Sequence, residues 1–367
     1  MDSPSSFGWR QPGLGQPQAF GLLVAYCLVY VLPLYASAAT RASPTRSRDA
    51  PEAIRARIRS VSLSTAACSV ATLLILLRSP STAGSTSGPA SASGEPTASH
   101  QLSSSLHLMG YWPLGLLETA RALLLTALLF AGPLYECLVV DGVWREWLRL
   151  EPLRHVGTDW PAWRNMVAVR PPLLRLSSPA AAPFVLPCCS SDPSPSRAPM
   201  CCVADRRRGP VTEECLFRSA AVPLLLLAGS SLTSTVFLSP LVFGLAHLHH
   251  FYEFRITHPQ TPLGAAIARS VLQLSYTSIF GAYATFIFLR TGSLLAAISV
   301  HTLCNSMGLP RVWGALEPYW LSTSELSRPL SLIKWTGLYY VLLVGGSVLW
   351  WSSLYSLTQS PMALAGF

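Results

Sequence analysis

The chain has 367 residues, 50% hydrophobic and only 12% charged, with a formal net charge of +9 and a mean hydropathy of +0.39. About a quarter of a soluble chain is typically charged, so this composition excludes an ordinary soluble enzyme and predicts a membrane protein. Twenty apolar residues in a helix rise about 30 Å, the thickness of the hydrocarbon core, which sets the length of span to look for.

Eight spans are predicted: Ala19–Ala38, Val61–Leu77, Pro113 to Val140, Gly209–Leu232, Val236 to Phe254, Leu263–Leu289, Thr291–Leu309 and Trp335–Leu357. The expected fold class is all-α, a polytopic bundle of about eight transmembrane helices around a polar cavity open to cytosol and lipid. Arginines orient it. Residues 41–60 hold Arg41, Arg46, Arg48, Arg55, Arg57 and Arg59, whereas residues 79–112 hold no Lys or Arg. The positive-inside bias therefore places the first loop in the cytosol, and with eight crossings segments 141–208, 255–262 and 310–334 follow it there. The positive charge then reads as topology and contact with anionic headgroups, with no nucleic-acid partner.

Three polar islands interrupt the apolar sequence: Glu213-Glu214-Cys-Leu-Phe-Arg218, Phe243-Gly-Leu-Ala-His247-Leu-His249-His250 and His301-Thr-Leu-Cys-Asn305. A charged group near the bilayer centre costs roughly 2.5 to 3.5 kcal/mol on insertion scales, so such residues normally face a polar cavity and serve a function. The predicted orientation puts all three at similar depth near the cytosolic face. At i, i+4 spacing Glu214 can pair with Arg218, while Glu213 points about 100° away and stays available. His247 and His250 share a face, with His249 turned aside toward headgroups, and His301 shares a face with Asn305. A carboxylate, imidazoles and an amide supply a base for water and donors for an oxyanion.

These islands resemble the three-motif signature of the type II CAAX prenyl endopeptidases, the Ras-converting enzymes within the CPBP intramembrane glutamic protease family. The longer strings PVTEECLFR (Pro210–Arg218), FGLAHLHH (Phe243–His250), LQLSYTSIFGAYATFIFLRTG (Leu272–Gly292) and LHLMGYWPLG (Leu106–Gly115) carry the same resemblance. It covers roughly residues 19–78, 106–168 and 209–310. The resemblance implies an eight-helix protease of the endoplasmic reticulum membrane, its active site facing the cytosol. Such an enzyme removes the C-terminal tripeptide from farnesylated or geranylgeranylated CAAX proteins, Ras-like small GTPases among them. By position, Glu213 and His247 would activate water, and His301 and Asn305 would stabilise the oxyanion. Glu214 and Arg218 would brace the helix, with Phe243 and His250 as supporting residues.

Three other readings are open at this point. The fold could serve a noncatalytic scaffold or transporter. Glu, His and His could hold a catalytic zinc, but no H-E-x-x-H occurs, and the resemblance implies a mechanism without metal or other cofactor. Cys304, beside Asn305, lacks the activating partner expected of a nucleophile. Five cysteines, Cys27, Cys68, Cys137, Cys215 and Cys304, lie in or beside spans and read as free thiols without a disulfide framework.

The domain reading runs in chain order. A polar segment (1–18) precedes the first two spans and their basic loop (19–78), and span one is expected to be an uncleaved anchor. A low-complexity lumenal linker (79–105) is expected to be disordered. The third span and its loop (106–168) lead to a Pro/Ser/Cys-rich insert (169–208), expected to be a retained intron or a gene-model error because RNMVA would otherwise run into GPVTEE. Its Cys188-Cys189 and Cys201-Cys202 pairs fit no common zinc spacing. The catalytic core (209–310), a cytosolic loop (311–334) and the last span with its tail (335–367) complete the chain. Leu364 to Phe367 contains no CAAX cysteine.

Overall fold

The structure, a computed structural model, describes residues 14–37, 40, 51–79, 98–145, 210–321 and 329–366. Among these residues every regular element is a helix, as an all-α membrane protein requires when the bilayer offers no partner for backbone groups. The insert at 169–208 and most of the linker lie outside the described residues. The linker's last residues do not fit the disordered reading, because a helix begins at Ala98.

In chain order the helices are α1 (Gln16–Val31), α2 (Pro33–Ala36), α3 (Pro51–Arg78), α4 (Ala98–Leu108), α5 (Leu116–Leu129) and α6 (Ala131–Tyr135), the last followed by a π-helical stretch, Glu136–Val140. α7 covers residues 210–227 and contains a π-helical segment, Cys215–Ala220. α8 (Leu232–Leu245) passes through a 3₁₀ turn, Ala246–Leu248, into α9 (His249–Thr257); α10 (Leu263–Thr291), α11 (Leu294–Met307) and α12 (Pro329–Leu357) follow.

Among the described residues, five stretches are long and apolar enough to cross a membrane: Gln16–Ala36, Arg55–Arg78, Leu232–Ile256, Leu263–Thr291 and Leu332–Leu357. A sixth arises if the bent pair Leu116–Leu129 and Ala131–Val140 forms one broken span. The other two of the eight predicted spans correspond to α7 and α11, which end short of the expected limits. α11 has 14 residues, a rise of about 21 Å at 1.5 Å per residue.

The described residues divide into two compact units, one holding those up to 125, 210–301 and from 353 on, the other those of 126–145, 302–321 and 329–352. The first is built around α7. Ala19, Leu23, Tyr26 and Tyr30 line the buried face of α1 and join Leu216, Phe217, Ala220, Leu224 and Phe243 in one core cluster. Val24, Leu28 and Leu32 point outward, where lipid rather than water makes an apolar face the stable one. With lipid as apolar as leucine, interhelical hydrogen bonds and close packing hold such helices together. Here Tyr26 OH pairs with Thr72 Oγ1 at 3.0 Å, Thr72 Oγ1 donates to Ala220 O at 2.9 Å, and Tyr30 OH pairs with Thr212 Oγ1 at 3.2 Å. α1, α3 and α7 are thereby tied on both sides of the glutamate pair.

α10 ends at Gly292, whose φ of +62° favours glycine and whose Cβ, if present, would lie 2.0 Å from Met362 O. The residues beyond α12 pack back here: Leu364 N donates to Leu289 O at 2.8 Å and Ser360 Oγ donates to Glu118 Oε1 at 3.1 Å. In the second unit Val140, Leu316 and Tyr339 form a small core. Arg311 there donates from Nη2 and Nε to Glu136 Oε1 at 2.7 and 3.1 Å.

Candidate active site

Glu213 and Glu214 occupy the last α-helical positions of α7 before the π segment begins. π insertions often mark functional sites because they re-aim neighbouring side chains. Glu214 is fully buried and Glu213 is 18% exposed. Arg218, 1% exposed, donates from Nη1 to Glu214 Oε1 at 3.0 Å and from Nη2 to Gly281 O on α10 at 3.1 Å. Its guanidinium also lies over the Phe243 ring, 4.8 Å from the centroid, adding a cation–π contact. A buried guanidinium is tolerable only with such partners.

His301 arrives from α11, 4% exposed. Its Nδ1 is 2.7 Å from Glu214 Oε1. An ionised carboxylate only accepts, so Nδ1 carries the proton and the ring orientation is fixed. The far nitrogen, Nε2, then faces Glu213 Oε2 at 3.8 Å. One imidazole thus stands between a carboxylate committed to Arg218 and one that is partly open. Phe280 flanks the ring at 4.4 Å between centroids.

His247 sits in the 3₁₀ turn that ends α8. Its Nδ1 is 2.9 Å from Phe243 O, a carbonyl that only accepts, which leaves Nε2 with its lone pair. Phe243 is the hub of the group: its ring lies 4.9 Å from His247, 6.5 Å from His301 and 5.0 Å from Phe217. Six predicted site residues, Glu213, Glu214, Arg218, Phe243, His247 and His301, are therefore joined by contacts within one unit. Asn305 lies one helical turn beyond His301 on α11, is exposed, and belongs to the second unit.

His250 adjoins His247, ring centroids 5.8 Å apart, and its Nδ1 faces Glu253 Oε2 at 3.3 Å. The expectation that His249 turns aside does not hold. The tight turn swings its ring to 4.0 Å from that of His250, and its Nδ1 donates to Ala246 O.

Sequence reasoning also missed Glu253 and Arg57. Glu253 is 2% exposed and accepts from Arg57, which donates in turn from Nε to Thr40 O at 2.9 Å. The signal available was a lone Glu within an apolar span, which needs a cation partner.

The chain matches the family model described as type II CAAX prenyl endopeptidase Rce1-like over residues 208–307, the stretch that carries all three islands. It is 31% identical over 291 residues to "Probable CAAX prenyl protease 2" of Schizosaccharomyces pombe, an alignment that covers 79% of this chain and 81% of that protein. The chain belongs to the type II CAAX prenyl endopeptidase family. Similarity is also high over shorter stretches: 54% identity over 101 residues to the CAAX prenyl protease 2 of Arabidopsis thaliana (28% of this chain, 32% of that protein), and 43% over 108 residues to that of Homo sapiens (29% and 32%). No solved structure matches the chain. The protein is a CAAX-type endopeptidase, a peptidase built on multi-pass membrane helices; neither the scaffold nor the zinc reading gains support.

Proposed function

We propose that the protein hydrolyses the peptide bond after the prenylated cysteine of CAAX proteins, farnesylated or geranylgeranylated, and releases the C-terminal tripeptide. Ras-like small GTPases would be among its substrates. We place it in the endoplasmic reticulum membrane with the site toward the cytosol, where the arginine bias of residues 41–60 puts the neighbouring loops. The relatives, CAAX prenyl proteases by name, support the substrate class. The membrane setting suits it, since each buried methylene of a prenyl chain contributes about 0.8 kcal/mol to partition from water.

The observation that carries the mechanism is the division of labour between adjacent carboxylates. Glu214 is occupied by Arg218 and His301, whereas Glu213 keeps an exposed edge. Glu213 takes a proton from a water whose oxygen attacks the scissile carbonyl carbon. The Nε2 lone pair of His247 shares or relays that proton. His301 donates to the resulting oxyanion, which requires protons on both nitrogens, Nδ1–H on Glu214 and Nε2–H toward the substrate; for Asn305 the same role rests on the resemblance of His301-x-x-x-Asn305 to the family motif alone. When the tetrahedral intermediate collapses, the C–N bond breaks, the relayed proton goes to the leaving amine, and the prenylcysteine acquires a carboxylate. No step requires a metal.

The test is release of the tripeptide from a farnesylated peptide by purified protein. Glu213→Ala and His247→Ala should each lose at least about 10²-fold, the usual scale for general acid–base groups. Release equal to wild type from both variants would overturn the mechanism.

A further inference from the structure

We propose that His249, His250 and Glu253, at the start of α9, form a binding site for a zinc-class divalent cation, distinct from the catalytic set. The ligand atoms of the three residues lie within 4.8 Å of one another. Two imidazoles and a carboxylate, with a fourth position left for water, are a common zinc donor set.

The surroundings are also those of a metal site. Metal-binding histidines usually give their other ring N–H to a carbonyl or carboxylate, and metal-binding carboxylates are themselves hydrogen-bonded. His249 Nδ1 donates to Ala246 O, so its ligand atom would be Nε2. Arg57 engages Glu253 Oε1, which leaves Oε2 on the side of the histidines. His250 Nδ1 is 3.3 Å from that oxygen. A tetrahedron with Zn–N and Zn–O bonds of about 2.0 to 2.1 Å has edges of about 3.3 to 3.4 Å, so this pair already stands at the spacing of two ligands on one ion. On binding, the His250 Nδ1 proton leaves to solvent and its lone pair takes the metal.

Access and burial are compatible with this. The His250 side chain is 25% exposed and Glu253 is 2% exposed, giving an entry path and a dry floor. The positive charge of Arg57 offsets part of the carboxylate's attraction, so affinity falls below that of a site whose carboxylate carries no cation. Residues Glu213, His247 and His301 are not ligands: His247 Nδ1 bonds Phe243 O, His301 Nδ1 bonds Glu214, and Glu213 faces His301 Nε2 at 3.8 Å.

The experiment uses the full untagged chain in detergent, titrated with Zn²⁺ by calorimetry and with Co²⁺ by visible absorption. His249→Phe and Glu253→Gln should each bind one equivalent fewer than wild type. His249→Cys should restore it and add a thiolate-to-cobalt charge-transfer band. X-ray absorption of the zinc-loaded wild type, which depends on no variant's folding, should show imidazole nitrogen neighbours. Unchanged stoichiometry in His249→Phe, failure of His249→Cys to restore the ion, or a zinc shell without imidazole would each overturn the site. So would loss of the same equivalent in Glu213→Gln, which would move the ion into the catalytic set.

Discussion

Glu213 and Glu214 are chemically identical neighbours, and their surroundings assign them opposite duties. Removing one partner of a buried ion pair leaves an uncompensated charge, at a cost of about 3 to 5 kcal/mol. Glu214→Gln should therefore lower thermal stability by that amount, measured by unfolding in detergent, because Arg218 and His301 both lean on its Oε1. Glu213→Gln should leave the unfolding temperature near wild type while cutting turnover about 10²- to 10⁴-fold, the span of general-base effects. If both variants lose stability equally, the division of labour is wrong. The Glu214–Arg218 pair was legible from i, i+4 spacing alone. The His301 contact was not, because it closes across 87 residues, and no local pattern states which distant helix will meet α7. Glu253 was missed for a similar reason. Its partner Arg57 lay within a run of arginines that the orientation rule already explained.

At the scale of elements, the site depends on how closely α8 and α10 approach. Gly281, on α10, carries the carbonyl that accepts from Arg218. A Cβ there would lie 2.7 Å from the Pro240 Cβ, 3.2 Å from Phe243 and 3.3 Å from Arg218 Nη2. Pro240 sits inside α8 and its ring cannot rotate away. Gly281→Ala gains up to about 1 kcal/mol of helix propensity against about 1 to 3 kcal/mol of overpacking. The expected outcome is a lower unfolding temperature together with reduced turnover, because the shift is transmitted to Phe243 and Arg218. Gly337→Ala is the control: it lies in α12 with nothing within 4 Å of an added Cβ, so it should be neutral or slightly stabilising. Hydropathy made the long spans legible. It did not reveal the π segment of α7, the break after α5 or the shortness of α11, since these follow from packing rather than composition.

At the scale of the whole molecule, the insert and the orientation decide how the substrate reaches the site. Residues 169–208 separate RNMVA from GPVTEE, and we propose that they are dispensable. A chain lacking them should cleave a farnesylated peptide at a rate within a few-fold of the full chain; loss of cleavage with retained folding would show that the segment belongs to the enzyme. The orientation rests on arginines. Residues 79–112 contain no Lys or Arg, and residues 41–60 contain Arg41, Arg46, Arg48, Arg55, Arg57 and Arg59. The bias is counted within about 15 to 20 residues of span ends: Arg41, Arg46 and Arg48 precede α3, and Arg55, Arg57 and Arg59 lie in its first turns. N-glycosylation requires an N-x-S/T acceptor exposed on the lumenal side. An acceptor introduced among residues 84–94 should therefore be glycosylated in microsomes, visible as a mobility shift removed by an endoglycosidase. The same acceptor placed among residues 44–50 should remain unmodified. The reverse pattern would put the basic loop in the lumen. It would also put on the lumenal side the face that the proposed cytosolic substrates must reach, so this measurement tests orientation and substrate access together.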